Sequence, residues 1–371
     1  MAGAASHLAR PAELLKPIGF EAIQGWAEED HSAAFAAFLR SCRRAMTDPP
    51  KTRSLGIDGA ALRRVAAAAL ELGRTGPQRA RRFFEENFTP MEVAADGFVT
   101  GYYEPELPAS PCRTERFAVP LYRRPPDLVE VDDGNRPAGW DPAVRFARRG
   151  PDGLAPYPDR AAIEAGALAT RGLEIAWLAD QVDAYFVHVQ GSARLNMTDG
   201  RLVRIAFDGK SGHPYTSIGR LAVERGLLTP EAADKAGLEA WLKANPDAGR
   251  ALMRENRSFI FFRETPELRP EDGPLGAGGV PLTPGRSLAV DRTQWTFHLP
   301  VWVAAGLDDP DCPGRPFRRL MVAQDTGSAI VGPARGDLFL GSGVAAGRIA
   351  GTVRHPARMT ALVPRAGGAA P

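Results

Sequence analysis

The chain has 371 residues, 44% of them hydrophobic and 24% charged, which describes a globular protein long enough for two domains. A formal net charge of +2 gives nucleic-acid binding no electrostatic footprint, and no apolar stretch reaches the ~18 residues of a membrane-spanning helix. Cys42, Cys112 and Cys312 lack the paired spacing of a zinc or redox motif, so unpaired thiols are expected and at most one bridge can form.

The opening decapeptide, Met1 to Arg10, holds no apolar core of signal-peptide length, and no lipid-attachment cysteine follows it. Three helices are expected next. Phe20 to Met46 carries apolar residues at helical spacing, Ala60 to Leu72 is a run of strong helix formers stopped by Gly73, and Gln78 to Phe88 follows Pro77. After Gly97 the character changes. Gly97 to Tyr103 is β-prone and ends at Pro105, and residues 105–160 suit short strands joined by proline-rich connections.

Ala184 to Val189 and Leu202 to Asp208 read as strands. Ile218 to Arg225, Pro230 to Ala244 and Asp247 to Glu255 read as helices, and Ser258 to Phe262 as a strand. Residues 271–285, rich in glycine and proline, read as a crossover between domains. Strands follow at Ser287 to Val290, Val301 to Ala304, Arg319 to Ala323, Ala329-Ile330, Leu338 to Leu340 and Arg358 to Val363. Short strands punctuated by glycine and proline predict a β-barrel rather than a parallel sheet. Past Arg365 the tail is low-complexity Ala/Gly/Pro.

From Cys312 to the end there are eight arginines and only two acids, Asp325 and Asp337. Both stand among glycines, in Gln324-Asp325-Thr326-Gly327 and Gly336-Asp337-Leu338-Phe339, and a third acid, Asp291, ends the β-prone run Ser287 to Asp291. Glycine beside an acid permits the close backbone approach that active sites use, although such an Asp is ordinarily a turn residue. The six histidines show no metal-ligand spacing, and no phosphate-binding or dinucleotide fingerprint occurs, so neither metal nor cofactor is expected.

Several blocks, in order, resemble one family. Gly97-Phe98-Val99-Thr100-Gly101-Tyr102-Tyr103-Glu104-Pro105 is similar to the entry motif of the membrane-bound lytic murein transglycosylase A family. Val187-His188-Val189-Gln190-Gly191-Ser192-Ala193 and Tyr215 to Arg220 resemble its middle blocks, and Asp291, Asp325 and Asp337 its terminal three-aspartate domain. One departure is visible: where family members have a Pro-Leu-Gly turn after the first aspartate, this chain has Arg292-Thr293-Gln294-Trp295-Thr296-Phe297.

The resemblance implies a mainly β protein with an N-terminal helical part. Residues 1–106 and 272–371 would form a double-psi β-barrel, residues 107–271 an inserted β-domain, with a glycan groove between them. It implies a monomeric carbon–oxygen lyase that acts on the glycan strands of peptidoglycan in the periplasm or cell envelope. Asp337 becomes the acid and base, Asp325 its supporting partner and Asp291 the third member. Thr100, Tyr102, Tyr103, Gln190, Ser192, Asn256 and Ser258 are residue types suited to binding sugar within the matched blocks.

Elementary chemistry is consistent with a single carboxyl group. A glycosidase that uses water needs two, whereas an intramolecular hydroxyl has an effective molarity of ~10⁵ M or more and needs no activated water. Such an acid must stay protonated near neutrality, through burial or a neighbouring negative charge. Two other outcomes stay open on the same residues: an inverting hydrolase using Asp325 and Asp337, and a glycan-binding protein without catalysis.

Overall fold

The computed structural model describes residues 14–265, 269 and 271–365; the opening decapeptide and the tail after Arg365 lie outside them. Contacts divide the chain into two units. One comprises residues through Tyr102, Glu271–Gly341 and those from Thr352 onward; the other comprises Tyr103–Pro270 and Ser342–Gly351.

In the first unit, Asp30 rather than Phe20 starts the first long helix, α1 (His31–Thr47), its carboxylate accepting from Ala33 N at 3.1 Å. The expected helix is broken upstream because Gly25 takes a left-handed φ of 87°, leaving only a 3-10 turn at Phe20–Ala22. α2 (Gly59–Leu72) is capped by Asp58 and stops at Gly73 with φ 66°, while α3 (Pro77–Asn87) has proline in its first turn, where no N–H is needed. Phe35 and Phe38 of α1 meet Phe83, Phe84 and Phe88, with centroids 5.1–6.0 Å apart. Aromatic pairs at this spacing and tilt add ~1 kcal/mol each beyond burial.

These helices cover a sheet containing β1 (Leu15–Pro17), β2 (Phe88–Val93), β3 (Gly97–Glu104), β13 (Ser287–Val290), β14 (Pro300–Asp309), β15 (Cys312–Asp325), β16 (Arg335–Ser342) and β17 (Arg354–Pro364). Its order is β1-β2-β17-β14-β15-β13-β16-β3, and β3 also pairs with β17. That last pairing, Arg354↔Thr100 through Ala357↔Gly97, closes six strands into a double-psi β-barrel. Closure removes the exposed edges that an open sheet would have to protect. Ala329-Ile330 is no strand: Ile330 N bonds Gly327 O at 3.0 Å in a turn between β15 and β16.

The second unit holds a four-stranded sheet, β12 (Ile260–Glu264), β11 (Leu202–Lys210), β10 (Ser192–Met197) and β4 (Glu106–Ala109), in that order. β5 (Val119–Tyr122) pairs with β9 (Glu174–Leu178), and β6 (Leu128–Glu130), β7 (Phe146–Gly150) and β8 (Gly153–Ala155) form a third sheet. Besides a helical stretch at residues 160–167, four helices among the described residues belong to it: α4 (Gln181–Gln190), α5 (Ile218–Glu224), α6 (Lys235–Ala244) and α7 (Pro246–Glu255). A fifth, α8 (Gly343–Thr352), supplies the unit's remaining segment.

Two readings are corrected here. Ala184 to Val189 is not a strand but the body of α4. Asp180 caps it by accepting from Val182 N at 2.7 Å and Asp183 N at 3.0 Å, and Gly191 ends it with φ 77°. Consecutive residues Ala184 to His188 are all buried, so the segment shows no polar face from which a helical period can be read. The α6 helix starts at Lys235, five residues later than expected, because Asp234 caps Gly237 N at 2.8 Å. α8 went unforeseen because its glycines at 343, 347 and 351 are poor helix formers. One has a packing reason: a Cβ on Gly347 would meet the Tyr103 ring at 2.7 Å.

Candidate active site

Register brings two of the three aspartates together. On β13, Ala289 pairs with Asp325 of β15 on one side and with Asp337 of β16 on the other. The two acids are thus two strands apart, roughly 10 Å between Cα atoms, at the same level of the barrel wall. Alternation decides which way they face. Val99, Leu288, Val290 and Leu338 enter the main core, while Thr100, Tyr102, Ala289 and Asp337 alternate with them on the opposite face.

That face is built from cross-strand contacts between β3 and β16. The Arg335 guanidinium lies 5.7 Å from the Phe98 ring centre, Thr100 Oγ1 is 2.6 Å from Asp337 Oδ1, and the Tyr102 and Phe339 rings are 5.3 Å apart. Tyr102 donates its hydroxyl to Asp325 Oδ2 at 2.9 Å, and Ala277 N donates to Asp325 Oδ1 at 2.9 Å.

Asp337 is half-buried. Burial pushes its pKa up to about 6, against the opposing pull of the Thr100 hydrogen bond and the Arg335 charge, and the Asp325 charge adds to the rise. Asp325 is raised as well, again by burial, although Ala277 N, Thr326 N and the Tyr102 hydroxyl stabilise its charged form. Burial, then the nearby Asp325 charge, holds Tyr102 well above the usual phenol range, so it stays a neutral donor. The result is one carboxylic acid, half-ionised near pH 6, with a solvent-facing edge and a fixed hydrogen bond on one oxygen. Such a group can give a proton and take one back.

Asp291 is used differently. It is 5% exposed and accepts from Thr293 N at 2.9 Å, Thr293 Oγ1 at 2.6 Å, Gln294 Nε2 at 2.9 Å and Gly332 N at 2.8 Å. Burial alone would raise its pKa, but these donors hold it below the ordinary carboxylate value. Its carboxylate ties the turn after β13 to the loop before β16. Thr293 and Gln294 belong to the segment that departs from the family pattern, and Trp295 beside them is buried with its indole N–H on Pro333 O at 3.0 Å.

The remaining predicted residues lie in the second unit. Gln190, half-buried, accepts from Tyr103 N at 3.2 Å. Tyr103 itself is 8% exposed, with the Lys235 ammonium 5.6 Å from its ring centre, and Ser192 is also 8% exposed. Asn256 and Ser258 are both buried, with contacts inside the protein. Asn256, 2% exposed, binds Thr216 N and the Tyr185 hydroxyl through its amide, and its carbonyl accepts from Arg160 Nε at 2.9 Å. Ser258 is 4% exposed, and its main-chain carbonyl accepts from the same guanidinium at 2.7 Å.

Two contributors were not foreseen. Ala277 lies in the segment read as a simple crossover, yet its N–H holds Asp325. A Cβ at Gly276 or Gly278 would meet Gln324 O at 2.7 or 2.9 Å, so only glycines let this loop lie flat on the end of β15. Arg335 is the other: its guanidinium donates to Thr100 Oγ1 at 2.6 Å and to Gly336 O. Among the described residues no cluster of three or more His, Cys, Asp or Glu could hold a metal ion, and all three cysteines are unpaired.

Residues 98–263 match the model of the MltA specific insert domain and residues 286–363 that of the 3D domain. A membrane-bound lytic murein transglycosylase from Agrobacterium tumefaciens, a solved structure, is 44% identical, with TM-score 0.89 over 95% of this chain and 98% of that one. The structure of E. coli MltA with bound chitohexaose is 26% identical, with TM-score 0.68 over 95% and 92%. The membrane-bound lytic murein transglycosylase A of Vibrio cholerae is 34% identical over 209 residues, 55% of each chain, so this chain spans about half the length of that curated relative. With barrel, insert and three-aspartate domain all accounted for, this chain belongs to the membrane-bound lytic murein transglycosylase A family.

Proposed function

We propose that the chain cleaves the β-1,4 bond between N-acetylmuramic acid and N-acetylglucosamine in peptidoglycan, without water, leaving a 1,6-anhydro-muramic end. The observation that carries this is Asp337: a half-buried carboxyl group raised to about 6, pinned by Thr100 on one oxygen. Its neutral form protonates the leaving glycosidic oxygen as the bond to the anomeric carbon breaks. The resulting carboxylate then takes the proton from the muramic C6 hydroxyl as that oxygen closes on the same carbon, which restores the acid. Asp325, engaged by Ala277 N and Tyr102, supports the reaction as a fixed negative charge, and Asp291 as an anchor of the flanking loops. A relative crystallised with chitohexaose, a β-linked amino-sugar oligomer, supports this substrate class.

Tyr102, Tyr103, Gln190 and Ser192 remain the proposed sugar contacts, together with Thr100 beside the acid. The family's membrane-bound relatives support action in the cell envelope. Among the described residues no helix is long and apolar enough to cross a membrane.

The test is digestion of purified sacculi with mass analysis of the fragments. Anhydro-muramic products, one water lighter than reducing-end products, are expected, and Asp337→Asn is expected to release none while still binding glycan. Reducing ends would instead identify a hydrolase, and binding without turnover a lectin-like protein.

A further inference from the structure

We propose that Arg335 is a positioning residue that sets the direction of the Thr100 hydroxyl and thereby selects which oxygen of Asp337 carries the transferable proton. This rests on Asp337 serving as acid and base. A guanidinium has only N–H donors, so at 2.6 Å Thr100 Oγ1 must accept from Arg335. The guanidinium takes one of that oxygen's two lone pairs, and its positive charge favours turning the hydroxyl's single hydrogen toward the other neighbour, Asp337 Oδ1, also at 2.6 Å. Oδ1 is therefore favoured as the acceptor, which places the proton that moves on Oδ2.

Arg335 is itself held by three contacts independent of Asp337: the Gly336 carbonyl, the Phe98 carbonyl at 3.5 Å and the Phe98 ring. It reaches the acid through the hydroxyl and through space. With the guanidinium gone, the Thr100 hydroxyl can turn and accept a proton from Oδ1, and the acid then populates a form that points its proton away from the sugar. The charged and titratable groups facing Asp337 are Arg335 on its own strand, Asp325 on β15 and Tyr102 on β3.

The test is a double-mutant cycle on cleavage of purified glycan strands. Arg335→Met is expected to lower kcat about 10- to 100-fold with KM little changed, the scale of a misplaced catalytic group. In a Thr100→Val background, which has no hydroxyl to orient, the same substitution is expected to cost less than about 3-fold, because only the charge effect on Asp337 remains. Arg335→Lys, which keeps the charge, is expected to restore the alkaline limb of the pH profile but only part of kcat. Equal losses in the two backgrounds, or full rescue of kcat by lysine, would overturn the proposal and leave Arg335 a simple charge. Failure of the underlying reading looks different: Asp337→Asn would itself remain active. Folding of each variant is checked by thermal unfolding, and if Arg335→Met does not fold, Arg335→Gln replaces it in the same cycle with the same two outcomes.

Discussion

At the scale of single residues, the site depends on the contrast between two carboxyl groups at one level of the barrel wall. Asp337 has one hydroxyl donor and a pKa of about 6, while Asp325 has two backbone N–H groups and a phenol committed to it. The sign of the resulting pH dependence follows. In the proposed reaction the first step needs neutral Asp337, so cleavage is expected to fall as pH rises through about 6. Asp325→Asn removes a negative charge that raises the Asp337 pKa, so the alkaline limb should move to lower pH. Rates measured between acid and neutral pH check this, and an unmoved limb would show that the two groups are not coupled. The third aspartate calls for a different experiment. Asp291→Ala strands the N–H groups of Thr293 and Gly332, so a loss of about 2–4 kcal/mol in urea unfolding is expected, larger than any direct effect on substrate binding.

At the scale of elements, the glycine-rich loop at 276–279 does more than connect. It lies against Gln324, with Gly278 N on Gln324 O at 2.8 Å, and so aims Ala277 N at Asp325. Gly278→Val would press a side chain onto that carbonyl, which belongs to β15 and cannot give way cheaply. A loss of about 1–3 kcal/mol is expected from overpacking, with cleavage reduced even at temperatures where the variant is fully folded. Calorimetry and fragment release on the same sample separate the two effects. Wild-type activity in the folded variant would mean that the Ala277 contact is dispensable.

At the scale of the whole molecule, the chain passes between its two units within strands, leaving the barrel unit at Tyr102/Tyr103 of β3 and again at Gly341/Ser342 of β16. Just past both crossings, within the second unit, Glu104 accepts from Ser342 Oγ at 2.7 Å and from Arg194 Nε at 2.7 Å, with Arg204 Nε at 3.3 Å. Glu104 is fully buried. Its removal takes the shared anion away from one buried guanidinium, Arg204, and one half-buried, Arg194, a change of the kind that costs about 3–5 kcal/mol. Glu104→Ala is therefore expected to lower the urea midpoint by far more than a surface substitution. A midpoint within error of the wild type would show that the arginines are satisfied without it.

Much was legible in the residues themselves. α2 and α3 were readable from their proline and glycine signals, and β3, β11 and β13 from β-prone runs, because those signals are local. The ordered blocks and glycine-flanked acids identified the family and singled out Asp337 as its acid/base candidate. The strand reading that failed has a clear cause: α4 is buried along most of its length, so its composition resembles a strand, and only the caps at Asp180 and Gly191 reveal the helix. What tertiary structure alone decided is which acids meet and what else meets them. Strand register set Asp325 and Asp337 on either side of Ala289 and left Asp291 to its own loop. Barrel closure placed Thr100 and Arg335, 235 positions apart, around one hydroxyl. A residue's type and neighbours along the chain carry its propensity, but hydrogen-bond direction and desolvation depend on partners brought in from distant segments, and those exist only once the barrel closes.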